Sequence, residues 1–200
     1  MKSQLLANYF VLNASCQDLR SSLLELIVKY AYREGDFVLS SGANSSYYIN
    51  CKEVTLRAEG ALMIGRLILE TLPPQTDAIA GLTLGADPIV SAVSIVSAIY
   101  DCAIPGLIIR KQAKGHGTQS YIEGPKLDKG SNIVVLEDVV TTGKSALQAV
   151  ARLQDVGYQV KQIISLVDRN QGGRELYQAK GLGFQSLFTI EGLQEYVTSS

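Results

Sequence analysis

Apolar positions along this chain follow two periods that alternate. Leu19, Leu23, Ile27 and Tyr30 are spaced by four, four and three, the stripe of a helix from Cys16 to about Arg33. Asn13 or Ser15 can cap its start, and Gly35 is placed to end it. Phe37 to Leu39 and Tyr47 to Lys52 read as strands around a Ser/Gly/Asn turn. From Thr55 onward, short β-branched runs alternate with helical stretches. Arg57 to Leu72 is a helix stopped by Pro73 and Pro74. Asp77 to Gly81 is a strand, and Pro88 opens a helix that reaches Tyr100. Ile104 to Arg110 is a strand, followed by a long polar segment to Gly130. Ile133 to Leu136 and Gln159 to Val167 are strands on either side of a helix from Lys144 to Asp155. A loop at Asp168 to Gly173 leads to a helix from Arg174. Phe184 to Ile190 is a last strand and Glu191 to Val197 a last helix.

Strands alternating with helices imply βαβ units. The expected fold is α/β, a mainly parallel central sheet flanked by helices. Residues 1–200 then form a single domain, with a small N-terminal layer over about 1–55 and the α/β core over about 56–200. In such sheets ligands bind beyond the C-terminal strand ends. The candidate site is therefore built from the loops Leu82 to Asp87, Lys111 to Gly124, Val139 to Gly143 and Asp168 to Gly173.

Composition narrows the function classes. The chain is 46% hydrophobic and 18% charged, with a net charge of −1, so no global field draws it to nucleic acid or an anionic membrane. The longest apolar stretch, Ile89 to Tyr100, is about 12 residues and too short to span a bilayer. Asn8 and Asn13 interrupt the N-terminal apolar region, which reads as mature protein. Cys16, Cys51 and Cys102 are scattered and His116 is the single histidine, which disfavours a zinc site and fits a reducing cytoplasm.

The most informative stretch is Asn132 to Ala151. After the apolar strand come Glu137 and Asp138, then a small hydroxyl-bearing loop with Thr141, Thr142 and Gly143, then the helix with Lys144 and Ser145 in its first turn. Free amides at a helix start make an anion cradle. Two acids beside it suit ribose hydroxyls, so the pattern fits a sugar phosphate. TTGKS is not a nucleoside-triphosphate loop, because Asp138 stands where that motif needs its first glycine. A second signal is Arg110 to Gly124, with Arg110, Lys111, Lys114 and His116 and no acid between Asp101 and Glu123. A solvated surface loop is the plain reading of that segment; a basic lid over a polyanion is the functional one. Arg169 can grip a carboxylate bidentately or form a surface ion pair with Asp168.

LEDVVTTGKS resembles the phosphoribosyl diphosphate motif of the type I phosphoribosyltransferases. SSGANSSYYIN, GLTLGADPI, RKQAKGHGTQSYIEG and VDRNQGG resemble, in order, the hood, diphosphate loop, catalytic loop and orotate-binding segment of the orotate phosphoribosyltransferases within that class. The resemblance covers roughly residues 35 to 175. It implies transfer of ribose 5-phosphate from phosphoribosyl diphosphate to orotate, with Mg²⁺ held mainly by substrate rather than by protein alone. It also implies a cytoplasmic homodimer whose catalytic loop is shared between subunits. The catalytic residues implied are Lys114, His116 and Asp138. Phosphoribosyl diphosphate would contact Arg110, Lys111, Lys114, His116 and the run Glu137, Asp138, Val139, Val140, Thr141, Thr142, Gly143, Lys144 and Ser145. Orotate would contact Thr141 and Arg169. Some bacterial relatives carry lysines where this chain has Ser40 or Ser41 and Leu84 or Gly85, and Lys52 is the candidate to replace them. A purine or uracil transferase and a nucleotide-sensing regulator are the rival readings. Arg169 disfavours a neutral base, and the filled basic loop disfavours a sensor.

Overall fold

The computed structural model describes residues 13–38, 44–112 and 121–199. Its centre is a six-stranded sheet in the order β5-β4-β3-β6-β7-β8. The strands are β3 (Ala78–Leu82), β4 (Gly106–Ile109), β5 (Ile122–Glu123), β6 (Asn132–Val140), β7 (Gln159–Asp168) and β8 (Gly183–Thr189). All neighbours are parallel except the short β5, which runs antiparallel to β4. A separate two-stranded antiparallel hairpin comprises β1 (Tyr32–Val38) and β2 (Asn44–Ile49).

Period-two alternation decides which helix covers which face. Ile79, Val134, Leu136 and Ile164 join one core with α1 (Cys16–Tyr30), α3 (Ala58–Thr71), α4 (Asp87–Ile99) and α7 (Ile190–Ser199). Ala80, Ile133, Val135 and Ile163 face the other way, against Ala146, Ala149, Val150 and Leu153 of α5 (Lys144–Asp155) and Tyr177 of α6 (Gly173–Ala179). The strands are apolar on both sides because both sides are covered. Gly65 lets α3 and α4 approach: a Cβ there would lie 2.8 Å from the Ala92 carbonyl oxygen.

Four expectations are corrected. α1 ends at Tyr30 rather than Arg33, because residues from Tyr32 pair with β2; Gly35, at φ +146°, lies where the hairpin register shifts rather than at a helix end. β2 ends at Ile49, and Lys52–Thr55 is a short helix, α2. The polar segment before Gly130 contains β5, whose two residues give no periodic signal. β6 continues to Val140, so Glu137 and Asp138 lie inside it; Glu137 pairs in register with Ser165 of β7 and Val140 with Asp168. Leu39, Ser40, Ser41, Lys114 and His116 fall outside the described residues.

Strand order sets the site. From β3 the chain moves to β4 on one side, then returns past β3 to lay down β6, β7 and β8 on the other. The loops after β3 and β6 therefore leave the sheet in opposite directions and open a crevice between them.

Candidate active site

The crevice is walled by the turn after β3 and the turn after β6. In the first, the Thr83 hydroxyl donates to Asp87 Oδ2 at 2.7 Å, and the Asp87 amide donates to the Leu84 carbonyl at 3.3 Å. Gly85 lies directly against Asp138: a Cβ there would meet the carboxylate at 2.4 Å. Asp138 Oδ1 also accepts from the Val139 amide at 2.9 Å.

Strand alternation sends the two acids off opposite faces of β6. Asp138 faces Gly85 and the buried Cys51. Burial pushes the Cys51 thiol well up, with the Asp138 charge second and Lys52 opposing. Glu137 faces α5 and α6, is 7% exposed, and leaves Oε2 buried without a hydrogen-bond partner. Burial raises its carboxyl well above the ordinary glutamate value, the Asp138 charge adds to this, and Lys111 opposes it.

The anion loop follows. Gly143 caps α5 with φ +79°, a conformation that glycine adopts freely. A Cβ at Gly143 would come within 2.8 Å of the Tyr177 ring, and one at Gly173 within 2.3 Å of Val140. Thr142, Lys144 and Ser145 are exposed and Thr141 is half-buried, so the open amides of the α5 start face solvent. Glu137, the run Val139 to Ser145, and Tyr177 enclose a cavity of about 80 Å³. Its size and amide lining suit one phosphate group. A larger cavity of about 670 Å³ lies behind α5 beside Pro125, Leu127 and Val156, with neither paired acids nor a helix start.

Arg169 is 8% exposed at the end of β7, where its amide donates to the Val140 carbonyl at 2.9 Å. Its Nε donates to the Tyr47 hydroxyl at 2.9 Å, and Nη2 reaches Ser45 Oγ at 3.5 Å. The hairpin therefore sits over Arg169. Asp168 does not pair with Arg169. It accepts from Arg174 at 3.3 Å and from the Asn170 amide at 2.9 Å. That removes the surface ion pair as the explanation of Arg169.

The described residues thus bring Glu137, Asp138, the Thr141–Ser145 loop and Arg169 to one crevice, with Arg110 and Lys111 at the end of β4. The phosphoribosyl transferase domain family matches residues 59–186. An orotate phosphoribosyltransferase of Synechocystis is 65% identical over 91% of this chain and 92% of its own length. One from Nostoc is 63% identical over 91% and 88%. This chain belongs to the orotate phosphoribosyltransferase family. A structure of the Mycobacterium tuberculosis orotate phosphoribosyltransferase in complex with 5-phospho-alpha-D-ribosyl 1-diphosphate is also similar. It superposes at a TM-score of 0.73 with 33% identity, covering 88% of this chain and 99% of that one.

Sequence reasoning missed three residues of this crevice. Tyr47 and Ser45 lie within the quoted hood motif, but only the fold brings them to Arg169. Tyr177 gives no local signal, since its partner Gly143 is 34 positions away in the chain (177 against 143).

Proposed function

We propose that this chain transfers ribose 5-phosphate from phosphoribosyl diphosphate to orotate, giving orotidine 5′-monophosphate and diphosphate in pyrimidine biosynthesis. One observation carries the reading: a buried arginine beneath the hairpin shares a crevice with an acid pair and an amide-lined phosphate cavity. Orotate brings a carboxylate that Arg169 can pair with, with Thr141 beside it. Backbone amides of Thr141 to Ser145 hold the 5′-phosphate. Glu137 and Asp138 accept from ribose hydroxyls, and Asp138 favours positive charge on the ring as the bond to diphosphate breaks. Arg110 and Lys111 stabilise charge developing on the departing diphosphate, joined by Lys114 and His116.

The donor set fits Mg²⁺. Asp138 offers a hard oxygen ligand, yet among the described residues no cluster of three or more acids, cysteines or histidines could hold a metal. The ion would be held mainly by substrate oxygens beside Asp138, and it would neutralise diphosphate charge. Ile95 and Ile99, one turn apart on α4, are exposed apolar residues that support a homodimer. Among the described residues no helix is long and apolar enough to cross a membrane.

The test is a spectrophotometric assay with phosphoribosyl diphosphate, Mg²⁺ and a panel of bases. Orotate should be consumed; turnover of uracil or hypoxanthine with none of orotate overturns the reading. For the shared loop, mixing Lys114→Ala with Asp138→Asn protein should restore activity in hybrid dimers. No recovery after proven subunit exchange refutes sharing.

A further inference from the structure

Arg152 stands on α5, away from the crevice, and makes three contacts across long stretches of chain. Nη1 donates to the Arg110 carbonyl, and Nη2 to the Lys111 carbonyl at 2.9 Å. The guanidinium also stacks on Tyr121, 4.1 Å from the ring centroid. These partners are the two stems at the end of β4. The Arg110 amide donates to the Tyr121 carbonyl at 2.8 Å, and the Arg110 side chain pairs with Glu123 at 3.1 Å. Ile109 lies opposite Ile122 in register.

We infer that Arg152 is a positioning residue: it fixes Arg110 and Lys111 relative to the phosphate cavity by tying their backbone to the helix that begins at that cavity. Arg152 is eight residues beyond Lys144, roughly 12 Å along one rigid helix. The carbonyls of Arg110 and Lys111 lie past the last β4 pairing, so no sheet neighbour takes them and Arg152 supplies the donors. Arginine suits this position because its planar fork can donate to both carbonyls while its face stacks on tyrosine. A lysine has neither the fork nor the face. Small displacements matter here, because a 1 Å shift of a reacting group can lower a rate by about 10²-fold.

This inference rests on Arg110 and Lys111 meeting the diphosphate, so both are tested together. Arg152→Met keeps the aliphatic stem, and Arg152→Lys keeps the charge. Steady-state kinetics for both substrates are compared with Arg110→Ala and Lys111→Ala, with melting temperatures measured alongside. Arg152→Met should worsen kcat/KM for phosphoribosyl diphosphate by about tenfold, short of that full-displacement figure. The KM for orotate should stay nearly constant, and Arg152→Lys should recover little. The Arg110→Ala/Arg152→Met double variant should lose less than the product of the singles, because one acts through the other. Unchanged phosphoribosyl diphosphate kinetics in Arg152→Met, with Arg110→Ala impaired, overturn the inference alone. Equal losses for both substrates with a parallel fall in melting temperature overturn it too, as a structural role. If Arg110→Ala and Lys111→Ala leave those kinetics unchanged, the diphosphate assignment fails first and the inference with it.

Discussion

Arg169 and Tyr47 are joined twice: Nε donates to the phenol oxygen at 2.9 Å, and the guanidinium carbon lies 4.7 Å from the ring centroid. The contact spans the hairpin and the end of β7, so it couples the N-terminal layer to the Arg169 end of the crevice. Tyr47→Phe keeps the ring and removes the acceptor. An N–H left buried without a partner costs about 1–3 kcal/mol. The KM for orotate should rise on the order of tenfold, with that for phosphoribosyl diphosphate little changed. Arg169→Lys should be worse, because the bidentate fork is lost. Equal effects on both substrates would contradict this division of the site.

Glu137 gives a pH signature. Its folded-state carboxyl is raised by burial first and by Asp138 second. The folded protein therefore keeps a proton that the unfolded chain has already lost. The stability this confers is complete below the ordinary glutamate value and is lost as pH climbs through the raised one. Glu137→Gln should be inactive or nearly so. It should melt higher than the parent at about pH 8, by roughly 2–4 °C per kcal/mol, and no higher at about pH 4. Calorimetry at both values decides it. A lower melting temperature at the alkaline value would show that the buried carboxylate is compensated.

Gly143 and Gly173 both keep the anion loop against α6. Gly143→Ala would strain a positive φ and press on Tyr177; Gly173→Ala would press on Val140. Each should lose about 1–3 kcal/mol of stability. The KM for phosphoribosyl diphosphate should rise more than that for orotate. A variant with parental melting and parental KM would mean the loop has another way to seat.

Much of this arrangement was legible in the chain. The α5 boundaries, Lys144 to Asp155, follow from its amphipathic spacing and the glycine before it, and they are observed unchanged. That the turns after β3, β6 and β7 meet beyond the sheet follows from βαβ alternation. What failed were end points where tertiary pairing overrides local pattern. β6 runs on through two acids because β7 offers hydrogen-bond partners as far as Asp168. The two residues of β5 become a strand only because β4 lies alongside. Arg152 and Tyr177 sit on helices whose sequences say which face is buried, but not what that face touches.

Cysteine chemistry gives an independent check. Cys51 is fully buried and its thiol is pushed well up by burial and by Asp138, whereas Cys16 and Cys102 are exposed. A thiol reagent should label Cys16 and Cys102 quickly in the native protein and Cys51 only after denaturation. Mass spectrometry of the labelled peptides reads this directly. Fast native labelling of Cys51 would place it at the surface and undo its packing against the Asp138 corner.

The antiparallel pair of Ile122–Glu123 with Ile108–Ile109 has a consequence for solubility. Without it, β4 would be an outer strand with a free row of amides and carbonyls, open to pairing with another chain. The short run Ile122–Glu123 thus also covers the outer end of β4, at Ile108 and Ile109. Shortening it back through Glu123 would bare a sticky strand, and aggregation would accompany the loss of turnover.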